Sequence, residues 1–179
     1  MLKYYSEIGG IALNIILIGM PGAGKSTVGV VLAKALGYDF SDSDLIIQRE
    51  TGKRLCEIID EIGTDGFIET ENRIVSEIRA QKTVIATGGS VVYGRQAMEN
   101  LKKDGIAVYL KVCPDELKRR LGNITTRGIA MKKGESIEQL CAERAPLYEK
   151  YADIVADTSG LSLEETVAEI ISRLPAAGF

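Results

Sequence analysis

The chain has 179 residues, room for one folded domain, and its 45% hydrophobic and 26% charged content is that of an ordinary globular protein rather than a disordered one. Lys and Arg number 22 against 25 Asp and Glu, a net charge of −3, so the basic excess of a general nucleic-acid binder is absent. There are no histidines and no tryptophans, which excludes Ser-His-Asp and Cys-His nucleophile systems, His-ligated metals and stacking on an indole.

Three cysteines, Cys56, Cys113 and Cys141, are far apart and form no C-x-x-C, the usage of reduced thiols in an intracellular protein. No segment reaches the roughly 18 consecutive apolar residues of a membrane span. The start, MLKYYSEIGGIAL, lacks the apolar run and small-residue site of a signal peptide. These features predict a cytoplasmic protein with no membrane and no nucleic-acid partner.

Taken in chain order, strand and helix signals alternate. Residues 14–19 (NIILIG) are an apolar run ending in glycine, the pattern of a strand buried on both faces. Residues 25–36 place Val28, Val31, Leu32, Ala35 and Leu36 at helical spacing, with Gly37 as the stop. A short strand at 38–40 leads into SDSD, followed by helical patterns at 44–51, 55–62 and 67–79. Residues 83–86 read as a strand, 94–104 as a helix, 107–110 as a strand, and 114–121 as a helix opened by Pro114. Residues 136–151 open with a capping box from Ser136 to Gln139; 154–156 is the last strand, and 162–174 the last helix, with a box from Ser162 to Glu165. Five strands with helices between them predict one α/β domain, a five-stranded parallel sheet covered by helices on both faces.

Residues 122–135 have no apolar periodicity and read as a mobile lid. The surrounding stretch 111–133 carries Lys111, Lys118, Arg119, Arg120, Arg127, Lys132 and Lys133 against Asp115 and Glu116, a net +5. Such a run is either a solvated helix face or a surface for an anion.

The first strand runs into Gly19-Met-Pro-Gly22-Ala23-Gly24-Lys25-Ser26-Thr27, a match to G-x-x-x-x-G-K-[ST]. Glycines let the backbone wrap so that successive N–H groups point at phosphate oxygens, at the positive end of the following helix. Lys25 supplies a movable charge for the outer phosphates, and the Ser26 hydroxyl is placed to ligate Mg²⁺. A strand before and an amphipathic helix after are the context this loop needs, so a nucleoside triphosphate is the expected ligand. The chain has no N-K-x-D, which a guanine-reading switch requires. One domain with a lid suits phosphoryl transfer to a small acceptor, closure keeping water from the ATP.

GMPGAGKST, the pair Asp42 and Asp44, Thr87-Gly88-Gly89-Ser90, the lid Arg127 and the segment Glu143-Arg144-Ala-Pro-Leu-Tyr148 come in an order and spacing that resembles the shikimate kinase family over residues 14–174. The resemblance implies a nucleoside monophosphate kinase-type fold, ATP and Mg²⁺, and transfer of the γ-phosphate to a hydroxyl of shikimate by a monomer. By the same resemblance Gly22, Ala23, Gly24, Lys25, Ser26 and Thr27 hold the nucleotide. Arg120 lies against adenine, and Asp42 holds Mg²⁺ through water with Ser26. Asp44 binds and orients the attacking hydroxyl, Gly88 and Gly89 let backbone approach the acceptor ring, and Arg144 pairs with its carboxylate. Lys25, Asp44 and Arg127 are the expected catalytic residues.

From the residues alone, Asp42 and Asp44 also read as a helix N-cap and its neighbour, and Gly88-Gly89 as a tight turn. With no histidine available, a carboxylate is the natural general base, which favours Asp44. The chain departs from the family where an arginine becomes Ile68, the third glycine becomes Ser90, and a proline after Arg127 becomes Gly128; Glu71 matches the acid of its helix. These departures leave room for another small hydroxylated acceptor. A nucleotide-binding regulatory protein without turnover is the alternative from a different class; Lys25, Ser26, Asp42, Asp44 and Arg127 together argue against it.

Overall fold

Every residue of β1 (Asn14–Ile18) is buried at the centre of a five-stranded sheet in the computed structural model, which describes residues 13–121, 128–131 and 134–175. The other strands are β2 (Asp39–Asp42), β3 (Thr83–Ala86), β4 (Gly105–Lys111) and β5 (Ile154–Asp157). They lie in the order β2-β3-β1-β4-β5, all parallel. A parallel sheet is covered on both faces, which is why its inner strands are continuous apolar runs rather than alternating ones.

Among the described residues seven helices accompany them: α1 (Lys25–Leu36), α2 (Ser43–Thr51), α3 (Leu55–Ser76), α4 (Arg95–Lys103), α5 (Pro114–Leu121), α6 (Ile137–Tyr151) and α7 (Leu163–Arg173), with a one-turn 3₁₀ helix at Val91–Tyr93. α1 packs with α7 on one face; α3, α4, the 3₁₀ turn and α6 form the layer on the other. The capping boxes form at both predicted places: Ser136 Oγ accepts from the Gln139 N–H at 3.2 Å, and Ser162 Oγ from the Glu165 N–H at 3.2 Å.

The differences from the sequence reading have local causes. β2 runs to Asp42 rather than stopping at Phe40, because Ser41 and Asp42 stay in register with Ile85 and Ala86. An edge strand tolerates such polar residues, and the extra length delivers Asp42 to the carboxyl end of the sheet. The patterns at 55–62 and 67–79 belong to α3, broken at Gly63 by a backbone of φ 73°, ψ 174° and ending at Ser76. Of the expected lid, 122–127, 132 and 133 lie outside the described residues, and Arg127 with them.

The main core surrounds the sheet. A second cluster, Ile47, Ile58, Phe67, Ile74 and Ala130, joins α2 and α3 to the segment 128–131. That segment also approaches the start of α3, where a Cβ on Gly128 would stand 2.6 Å from the Cys56 nitrogen. No helix among the described residues is long and apolar enough to cross a membrane.

Candidate active site

The loop between β1 and α1 turns on Gly22 (φ 80°) and Gly24 (φ 93°), left-handed positions that suit glycine. The loop borders a cavity of about 720 Å³ at the carboxyl ends of the strands, where parallel α/β sheets bind ligands. Gly22, Ala23, Gly24, Lys25, Ser26 and Thr27 all line it, as do Asp42, Asp44, Gly88, Gly89, Arg120 and Arg144. The structure therefore gathers every predicted site residue that it describes into one space.

Lys25 is only 7% exposed, and its ammonium donates to the Gly19 and Met20 carbonyls at 2.8 Å each. Burial lowers its pKa to about 8; Asp44, Asp42 and Glu71 oppose the shift and Arg144 adds to it. The Ser26 hydroxyl donates to Asp42 Oδ2 at 2.6 Å, while Asp42 Oδ1 accepts from the Asp44 N–H at 2.9 Å. Asp42 is thus the N-cap of α2, and Asp44 sits in the first turn facing the cavity. The capping pair also lines the cavity, so the two sequence readings are not exclusive.

The pair Ser26 and Asp42 offers two hard oxygens beside the phosphate loop, a donor set that fits a magnesium ion held mainly by substrate phosphates and water. Among the described residues there is no cluster of three or more acidic or sulfur ligands, so a metal caged by protein alone is not built there.

Arg144 is 1% exposed on α6. Its Nε donates to the Tyr93 hydroxyl at 3.2 Å and its Nη2 to the Ala130 carbonyl, while the buried Nη1 has no partner among the described residues. The guanidinium also lies over the Tyr93 ring, 5.2 Å from its centroid. Tyr148, four residues on, donates to the Gly89 carbonyl at 2.6 Å and stacks on Tyr109. The ERAPLY segment therefore carries two inward residues on one helical face.

Gly88 and Gly89 each have close neighbours within the protein. A Cβ on Gly88 would fall 2.2 Å from Glu71 Oε1 and 2.8 Å from Asp44 Oδ1; one on Gly89 would fall 2.6 Å from Pro21 Cδ. Close approaches to the protein's own atoms thus favour glycine at both positions.

Arg120 Nη1 donates to the Gly22 carbonyl at 3.2 Å and Nη2 to Glu116 Oε1 at 2.5 Å, so this arginine is braced against the phosphate loop. Elsewhere in the basic stretch, Lys111 pairs with Glu149 and Lys118 with Glu138, exposed pairs that make those lysines a solvated surface.

Sequence reasoning missed Thr158, Leu161, Leu163 and Thr166, which line the cavity beyond β5. Two leucines around a helix start carry no motif; apolar residues in a turn after a strand are the one signal available. Cys56 lines the cavity as a free thiol, Cys113 is exposed and Cys141 half-buried. Ile68 is half-buried on α3, one turn before Glu71.

A parallel sheet of this order with a G-x-x-x-x-G-K-[ST] loop after its central strand defines a P-loop kinase. The fold is shared with thymidylate kinase from Candida albicans (TM-score 0.59, 12% identity, 90% of each chain). The family model described as Shikimate kinase matches residues 21–175, and the chain belongs to the shikimate kinase family. Shikimate kinase of Thermodesulfovibrio yellowstonii is 41% identical over 163 residues, 89% of this chain and 94% of the relative. That of Francisella tularensis subsp. holarctica is 39% identical over 165 residues, 90% and 94%. Among solved structures, shikimate kinase from Acinetobacter baumannii in complex with shikimate superposes with a TM-score of 0.81 at 32% identity, covering 95% of this chain and 94% of that one.

Proposed function

We propose that this chain transfers the γ-phosphate of ATP to a hydroxyl of shikimate, giving shikimate 3-phosphate. The observation that carries the reading is that one cavity is lined by a phosphate loop, by Asp44 and by Arg144, whose buried Nη1 has no hydrogen-bond partner among the described residues. A buried donor left unpaired costs on the order of 1–3 kcal/mol, so Arg144 Nη1 is prepared for an anionic acceptor group. The carboxylate of shikimate supplies that group, with Gly88 and Gly89 bordering the same pocket.

Asp44, at the mouth of α2, orients the attacking hydroxyl and takes its proton as the bond to phosphorus forms. Lys25 is released from the Gly19 and Met20 carbonyls to the outer phosphates, whose charge it neutralises. Mg²⁺, when bound, offsets phosphate charge, and Ser26 with Asp42 would hold it directly or through water. Arg120, with Leu161 and Leu163 nearby, faces the base of the nucleotide. Arg127 reaches from the lid, about 122–135, to the transferring phosphoryl group, and the lid excludes water. The whole chain acts as one kinase domain, a monomer in the cytoplasm.

Coupled ADP release measured across shikimate, quinate, gluconate and nucleoside monophosphates tests this. Shikimate is expected to give the highest kcat/KM. Faster turnover of another hydroxylated acid would make Ile68 and Ser90 the marks of a different acceptor within the same fold.

A further inference from the structure

Glu71 is 1% exposed on α3, and among the described residues neither of its carboxylate oxygens has a hydrogen bond of good geometry. The Ser90 hydroxyl approaches it closely enough to favour the charged form. The two distances from the Gly88 Cβ position, 2.2 Å to Glu71 Oε1 and 2.8 Å to Asp44 Oδ1, bound the separation of those oxygens at 5.0 Å. Two carboxylates this close and shielded from water do not both ionise readily.

The charged groups facing Glu71 are Asp44 from α2, Arg144 from α6 and Lys25 from α1. Arg144 is engaged through Nε and Nη2 by Tyr93 and Ala130, leaving only Nη1 open, and Lys25 is engaged by Gly19 and Met20. No ion pair reaches Glu71 among the described residues. The position one turn earlier on the same face of α3 is Ile68, which offers no counter-charge.

We propose that Glu71 is a positioning residue carried as a neutral carboxylic acid, leaving Asp44 the carboxylate charge at the acceptor end, and that ionisation of Glu71 ends acceptor binding. Burial pushes its pKa up to about 8, with Asp44 adding to the shift and Ser90, Arg144 and Lys25 opposing it. Once ionised, Glu71 places a second negative charge where an acidic acceptor must dock. The inference rests on the kinase reading above.

Glutamine keeps the shape of the neutral acid and does not titrate, so Glu71→Gln is the decisive variant. In the wild type, KM for shikimate is expected to rise about tenfold between pH 7 and pH 9, the change a one-proton titration near 8 gives. In Glu71→Gln that rise disappears. Lys25 releases its proton in the same range, but it acts on the ATP phosphates and is retained in the variant.

A second readout needs no substrate. The folded acid keeps its proton to about pH 8, whereas the unfolded one loses it near its ordinary 4.5. Between those limits the folded state binds more protons, so wild-type stability falls relative to Glu71→Gln as pH rises, and levels off above 8. The melting temperature of Glu71→Gln minus that of the wild type should therefore grow from pH 5 to pH 8.

A flat melting difference, or a KM rise of equal size in both proteins, overturns the proposal. Should Glu71→Gln fail to fold, Ser90→Ala serves: without the hydroxyl that favours the ion, the KM rise moves to higher pH, and an unmoved or lowered midpoint is contrary. Absence of shikimate turnover at every pH overturns the kinase reading and the acceptor half of this one, while the melting difference still decides the proton.

Discussion

Lys25 is a cation at the bottom of a cavity, held by two loop carbonyls at 2.8 Å. Burial makes its proton easier to lose than that of an exposed lysine, down to about 8. Phosphate oxygens reverse this by favouring the charged form. Lys25→Ala removes a charge aimed at the outer phosphates and should lower turnover by about 10²–10³, with the thermal transition retained. Near-wild-type ADP release by the folded variant would falsify the assignment of the loop. Residues such as Lys25 and Ser26 were legible because their chemistry sits in one contiguous motif. The closeness of Glu71 to Asp44 was not, since it arises from packing α3 beside α2 across Gly88. Nor did the letters of Gly88-Gly89 reveal that Glu71, Asp44 and Pro21 are what the missing side chains make way for.

At the scale of elements, Gly63 divides α3 into the two helical pieces that the periodicity marked separately. Its φ of 73° with ψ of 174° is open essentially to glycine, yet a Cβ there would meet nothing within 4 Å. Gly63→Ala therefore isolates backbone strain from steric clash. The expected cost is about 1–3 kcal/mol, a fall in melting temperature of roughly 2–12 °C for a chain of this size. An unchanged transition would mean that the helix straightens at no cost. Strands β1 and β3 could be read at once, because burial on both faces leaves an unbroken apolar signature. The far half of β2 could not; Ser41 and Asp42 join the sheet through register with β3, a non-local cause. The 3₁₀ turn at Val91–Tyr93 is too short to show a period.

Across the whole molecule, the parallel sheet brings the ends of β1, β2 and β3 to one side, so that three loops distant in sequence share a cavity. Among them the Gly88-Gly89 peptide is clasped on both sides: Pro21 of the phosphate loop lies against one residue, Glu71 and Asp44 against the other. With nucleotide and acceptor bound on its two sides as proposed, such a wedge would make each site sensitive to the other's occupancy. Reciprocity then fixes a relation between the substrates: the factor by which bound nucleotide changes shikimate affinity equals the factor by which shikimate changes nucleotide affinity. Calorimetric titration of ADP with and without shikimate reads that factor, and Gly89→Ala, which forces the peptide away from Pro21, should drive it toward one. A factor unaltered in a folded Gly89→Ala would show that the two substrates communicate by another route. A factor driven to one instead makes two adjacent glycines the hinge pin through which the occupancy of one substrate site is felt at the other.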